Sequence, residues 1–233
     1  MKLELIVPAT QENIRKRKKA LCPPLGLAMV AAVTPPDVEI SLTDENVTAI
    51  DFQKHIDLVG ITVLTVTAQR AYEIADTFRA KGVKVVLGGI HPSVLPEEAR
   101  QHADAIVIGE AEGVWPKVIE DFKANKLQRV YQQSERPSLV GLPIPRRDLF
   151  AKGAYYVRNT LSTTRGCPYS CAFCTVTSFL VIPIAVARWK KSSGKSKHSA
   201  RRISLPSLTI TLLATPSLLR SYFEPLFPTK SSG

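Results

Sequence analysis

Three cysteines, Cys167, Cys171 and Cys174, fall within eight residues in the stretch "RGCPYSCAFC". Thiolates spaced C-x3-C-x2-C on one short loop can hold three irons of a cubane iron–sulfur cluster. The fourth iron then has no protein ligand and stays open to a chelating molecule. Structural zinc asks for four ligands, and the next histidine downstream, His198, is 24 residues beyond Cys174. A thioredoxin-like site needs only a CxxC pair in a different part of a fold. In a reducing compartment such clustering serves metals more often than disulfides. The remaining cysteine, Cys22, reads as a small buried or loop residue.

A cluster loop needs elements to position it. The chain has 233 residues, 45% of them apolar, enough for a sizeable core. Apolar, β-branched runs recur at "LELIVPA" (3–9), "VEISLTD" (38–44), "DLVGITVLTVT" (57–67), "KVVLGG" (84–89) and "DAIVIGE" (104–110). Between them, "AQRAYEIADTFRAKG" (68–82), "LPEEARQHA" (95–103) and "GVWPKVIEDFKANKL" (113–127) have helical spacing. This alternation predicts an α/β, Rossmann-like (flavodoxin-like), doubly wound parallel sheet, with five strands over residues 3–127. Ligands of such sheets sit outside the carboxyl ends of the strands. That rule selects Thr65, Val66 and Thr67, then Gly88, Gly89 and His91, then Gly109, Glu110 and Glu112 as candidate cofactor-binding residues. The proline-rich stretch that follows reads as a linker over 134–154, and "YYVRNTLSTTRG" (155–166) as a strand entering a new unit that runs to residue 180.

Two of these stretches resemble a known family. "RGCPYSCAFC", with Phe173 before the last cysteine, is similar to the radical SAM signature CxxxCxxC. "VVLGGIHPSVLPEEARQHADAIVIGEAEGVWPKVIEDF" (85–122) resembles the cobalamin-binding domain of cobalamin-dependent radical SAM proteins. The resemblance implies a cobalamin-binding domain over 1–133 and the first part of a radical SAM (β/α) barrel over 155–180. It also implies a 4Fe–4S cluster on Cys167, Cys171 and Cys174, S-adenosylmethionine on the open iron, and cobalamin as carrier of a methyl group to a carbon centre. The protein supplies position and the cofactors supply the chemistry. One departure is plain. Many cobalamin domains carry DxHxxG after the first strand, with the His on cobalt, whereas that loop here is "ATQENIRKRKKALCPP". His91 is the tempting substitute; the plainer reading is a loop histidine hydrogen-bonded locally to backbone. The "RKRKK" run (15–19) reads as a solvated face.

The net charge of +11 suggests an anionic partner. Its distribution weakens that reading, because residues 181–233 carry nine Lys/Arg and one acid while residues 1–180 carry 22 Lys/Arg and 19 acids. The tail sustains neither helical nor strand periodicity where a barrel would continue. Shifted by one constant reading-frame offset, "VIPIAVARWKKSSGKSK" is compatible with "GHTYRCRPVEEVIREIK", and the Trp189–Lys190 codons force a Glu. The tail is therefore expected to be an unstructured, out-of-frame translation, and the chain a truncated family member that retains corrinoid binding and cluster ligation without turnover. Two alternatives stand beside it, a non-catalytic module for a corrinoid or nucleotide-like ligand and a nucleic-acid binder using the basic tail. A cytoplasmic protein with small-molecule cofactors as partners is expected, since the start lacks a signal-peptide pattern and "FLVIPIAVA" is too short to span a bilayer.

Overall fold

The computed structural model describes residues 1–16, 20–133, 141–157, 159–161, 164–165, 185–186 and 208–210. Six strands, β1 (Lys2–Val7), β2 (Glu39–Asp44), β3 (Leu58–Thr62), β4 (Lys84–Gly88), β5 (Ala105–Ile108) and β6 (Val130–Gln132), form one sheet in the order β2-β1-β3-β4-β5-β6. Every pairing is parallel. The five strands expected over 3–127 are present, and β6 adds an edge strand beyond that range. The order reverses at β1, so the switch point of this doubly wound sheet lies between β1 and β3.

Strands buried on both faces alternate their side chains between two cores. Ile6, Val59, Ile61, Val85, Leu87 and Ile106 pack under α3 (Ala68–Ala80), with Ala71, Ile74, Ala75 and Phe78 of that helix. These are the positions at which helical spacing places the apolar face of 68–82. The helix closes as expected at Gly82, where the amides of Gly82 and Val83 bond to the carbonyls of Arg79 and Phe78. On the same side, residues 95–103 open with α5 (Pro96–Ala99), preceded by α4 (Ile90–Val94). On the other face Leu3, Leu5, Leu58, Val86, Ala105 and Val107 meet α2 (Leu25–Val33) and α6 (Trp115–Lys123). A short helix α1 (Gln11–Lys16) leads from β1 toward α2.

The described part of the proline-rich stretch packs back on this unit. The Arg146 amide donates to the Ala28 carbonyl of α2 at 3.0 Å, Leu149 joins the core under α2, and Ala20 forms a parallel bridge with Tyr155. The buried Tyr155 hydroxyl donates to Asp44 Oδ2 at 3.2 Å. Beyond it β7 (Asn159–Leu161) pairs in parallel with β10 (Leu208–Ile210), and β8 (Thr164–Arg165) pairs antiparallel with β9 (Ala185–Val186). Apart from those two pairs and residues 155–157, which pack on the first unit, the barrel fragment and the unstructured tail expected from the sequence fall outside the described residues. No helix among the described residues is long and apolar enough to cross a membrane.

Candidate functional site

The carboxyl edge of the sheet opens into a slot of about 160 Å³ between α2 and α6. Its floor is Leu5, Gly60, Val86 and Val107; its walls are Leu27 and Val30 of α2 and Trp115 of α6. Gly60 makes the slot. A β-carbon there would stand 3.0 Å from Leu5 Cδ2 and 3.2 Å from Trp115 Cη2, so glycine lets the indole lie over the middle of β3 without either side chain giving way. The indole is fixed by its polar edge, with Nε1 donating to Thr34 Oγ1 at 2.8 Å and that hydroxyl donating to the Val30 carbonyl at 2.8 Å. The lining is apolar except for Thr62, Glu112 and backbone, so the slot admits a narrow, uncharged group.

The mouth is built from the glycine loops. Gly88, Gly89, Gly109 and Glu112, all selected from the sequence, line it together with Thr62 and Ala111. Gly89 has φ +100, and a β-carbon would lie 2.9 Å from the Val63 carbonyl oxygen. The ladder between β3 and β4 continues past the strands into this loop, since the Val63 amide donates to the Gly88 carbonyl (2.8 Å) and the His91 amide to the Val63 carbonyl (3.1 Å).

Thr65, Val66 and Thr67 form a 3₁₀ turn at the same edge, outside the slot lining. Thr67 is committed to that turn: its hydroxyl accepts from the Leu64 amide at 3.3 Å and lies 3.2 Å from the Leu64 carbonyl. Val66 is 77% exposed. Glu110 also stands outside the lining. His91 is buried, as a locally held histidine would be, but its partners are side chains and not backbone. Its Nε2 lies 2.9 Å from the Tyr72 hydroxyl and 3.3 Å from Glu98 Oε1. Its Nδ1 is buried and has no hydrogen-bond partner among the described residues. Burial, and then the hydrogen bond to Glu98, push the Tyr72 phenol above its ordinary range. The loop after β1 is held by the buried Glu45, which accepts the Ala9 amide (3.0 Å) and the Arg70 guanidinium (2.6 Å). Cys167, Cys171 and Cys174 lie outside the described residues.

Gly60, Trp115, Leu27 and Val30 were not anticipated. A signal existed for the first, because a glycine inside a β-branched strand marks a close approach. Nothing local says that its neighbour is Trp115.

The family model of the B12 binding domain matches residues 16–119, which include most of the slot lining. The chain is similar to the bacteriochlorophyllide d C-8(2)-methyltransferase of Chlorobaculum tepidum, 40% identical over 162 residues that cover 66% of this chain and 36% of that protein. It is 31% identical to the bacteriochlorophyllide d C-12(1)-methyltransferase of the same organism, covering 73% and 39% of the two chains. To the hopanoid C-2 methylase of Rhodopseudomonas palustris it is 29% identical, covering 67% and 31%. The chain thus spans between about a third and two fifths of the length of these relatives. With the parallel sheet and the glycine-lined edge in place, residues 16–119 belong to the B12-binding domain family.

Proposed function

We propose that this chain binds cobalamin at the carboxyl edge of its sheet as the corrinoid-binding part of a carbon-methylating radical SAM protein. The observation that carries the reading is the slot itself, an apolar, glycine-lined opening at the switch-point edge, within the stretch matched by the B12-binding domain. The residues fit the group in kind. A corrin macrocycle is several times larger than a slot of about 160 Å³, so the slot would take only a narrow part of the cofactor and the ring would have to be held by the loops outside. Outside, Leu64, Val66 and Ile90 are exposed beside the mouth and offer apolar contact on the loops holding Thr65–Thr67, Gly88–His91 and Gly109–Glu112. The loop between β1 and α2 holds no histidine, and His91 has Nε2 engaged with Tyr72 and Glu98 and Nδ1 buried, so the reading assigns cobalt no imidazole from these loops.

Bound cobalamin would supply a methyl carrier, and a 4Fe–4S cluster with S-adenosylmethionine would supply the radical. In this chain Cys167, Cys171 and Cys174 are the residues to hold the cluster, and the described residues position the corrinoid. The activity of the whole protein is proposed as methylation at carbon, by likeness to the methyltransferases above.

The test uses the full chain under anaerobic conditions. Spectral titration with hydroxocobalamin should saturate at one equivalent, and failure to bind would sink the reading. After reconstitution, iron and sulfide should be retained by the wild type and lost in Cys171→Ala. Cobalamin binding together with no cysteine-dependent iron would leave a corrinoid-binding module without radical chemistry.

A further inference from the structure

Gly89 and Gly109 face each other across the mouth of the slot on adjacent strand ends, beyond the last β4–β5 pair, Leu87 with Ile106. Both have positive φ, +100 and +80. The Gly88–Gly89 peptide is tied to β3 through the Val63 amide, but beyond the last β4–β5 pair the two glycine loops are free to shift against each other. One side chain bridges them. Ser93 Oγ donates to the Gly89 carbonyl at 2.8 Å and accepts from the Gly109 amide at 2.9 Å.

Resting on the corrinoid reading, we infer that Ser93 is the positioning residue of the slot mouth, replacing the missing sheet rung with its hydroxyl. A serine hydroxyl has one donor hydrogen and two acceptor lone pairs. The donor is used on Gly89 and one lone pair on Gly109, so the residue acts through the two loops and not by donating to a ligand. Its place in the first turn of α4 allows this, because a serine there readily back-bonds to the carbonyl four residues earlier. The second bond, to the loop after β5, is what ordinary back-bonding lacks. Thr77 of α3 supplies the contrast: its hydroxyl donates to the Glu73 carbonyl at 2.6 Å, within one helix. Loops fixed before binding lose less freedom on binding, and affinity gains accordingly. Both glycines line the slot, so the gain falls on whatever enters it.

The experiment measures hydroxocobalamin affinity and ligand-free exchange of the Gly109 amide for the full-length wild type, Ser93→Ala, Ser93→Thr and Thr77→Ala. Ser93→Ala should bind about tenfold more weakly, the order expected for one lost hydrogen-bonded constraint, and should exchange the Gly109 amide faster. Ser93→Thr keeps the hydroxyl and should restore both. Thr77→Ala should change neither. Should Ser93→Ala fail to fold, Ser93→Cys takes its place, keeping the bulk with a weaker hydrogen-bonding group. Wild-type affinity in Ser93→Ala, or a loss in Ser93→Thr equal to that in Ser93→Ala, would overturn the inference while leaving the corrinoid reading intact. A wild type that binds no cobalamin overturns both, and protected Gly109 exchange would then show that the clamp exists without that use.

Discussion

The Trp115 indole lies against Gly60, its Cη2 only 3.2 Å from where a β-carbon at position 60 would stand. The sheet, α6 and the slot meet at this contact. Gly60→Ala must push against Trp115 on one side and Leu5 Cδ2, at 3.0 Å, on the other. Neither can retreat freely, since Leu5 is fully buried and Trp115 nearly so. Overpacking of this kind costs about 1–3 kcal/mol. Urea denaturation should show that loss, and cobalamin affinity should fall with it because the indole is displaced into the slot. A variant as stable as the wild type would mean that the wall moves easily.

His91 tests the cobalt question. Its imidazole is engaged with Tyr72 and Glu98 under α3, so His91→Ala removes a buried hydrogen bond and packing at a cost of about 1–3 kcal/mol. The absorption spectrum of bound cobalamin should stay as in the wild type. A change reporting loss of an axial imidazole would show that His91 turns toward the cofactor on binding.

Asp104 makes stability depend on pH. It joins β4 to β5 by accepting the Val85 amide (3.0 Å) and pairing with Lys84 (2.8 Å). Burial alone would raise its carboxyl; hydrogen bonds from Lys84 and Val85 and the charges of Lys84 and Arg79 outweigh this and hold it below its ordinary value of 3.8. A depressed folded value means that the stabilisation is complete above 3.8 and disappears as pH falls through the depressed value. Asp104→Asn should therefore cost about 0.5–1 kcal/mol at pH 7, a figure discounted for solvent screening. The gap between variant and wild type should close in strong acid. A gap that persists there would assign the effect to packing.

The parts of this fold legible in the sequence are those whose pattern is local. β-Branched runs gave β3, β4 and β5, the spacing of Ala71, Ile74, Ala75 and Phe78 gave α3, and the glycines at strand ends gave half of the slot mouth. The helix α2, "LGLAMVAAV", has no polar face to reveal its period, because it packs between the sheet and the turn at Arg147–Leu149. β6 is a three-residue edge strand with too short a pattern to read. Trp115 and Gly60 are 55 residues apart in the chain, and Ser93 gains its role only when β5 brings Gly109 beside it. Contacts made by folding leave no local period.

The connector shows the same limit from another side, and it carries the last prediction. Pro143 and Pro145 account for the lack of regular structure over residues 141–146, but they do not decide whether that stretch is loose or packed. Residues 141–157 are held by the Arg146 amide on Ala28, Leu149 in the core under α2, paired backbone at Ala20 and Leu21, and Tyr155 on Asp44. Burial, then the charge of Asp44, raises the Tyr155 phenol, so it remains a hydrogen-bond donor well past neutrality. Tyr155→Phe leaves a buried carboxylate oxygen without this donor, at a cost of about 1–3 kcal/mol. The loss falls on docking of the connector, whose opening frees the backbone at Arg146, Arg147 and Lys152 to enter a protease. Where opening is fast relative to cleavage, proteolysis follows the population of the open form, and about 1.4 kcal/mol corresponds to tenfold. Trypsin should therefore cut Tyr155→Phe at these residues about tenfold faster than the wild type, while residues 1–133 stay intact. Leu149→Ala, which weakens the same docking through packing, should do likewise. Equal cleavage rates in all three proteins would show that the connector is not held by these contacts.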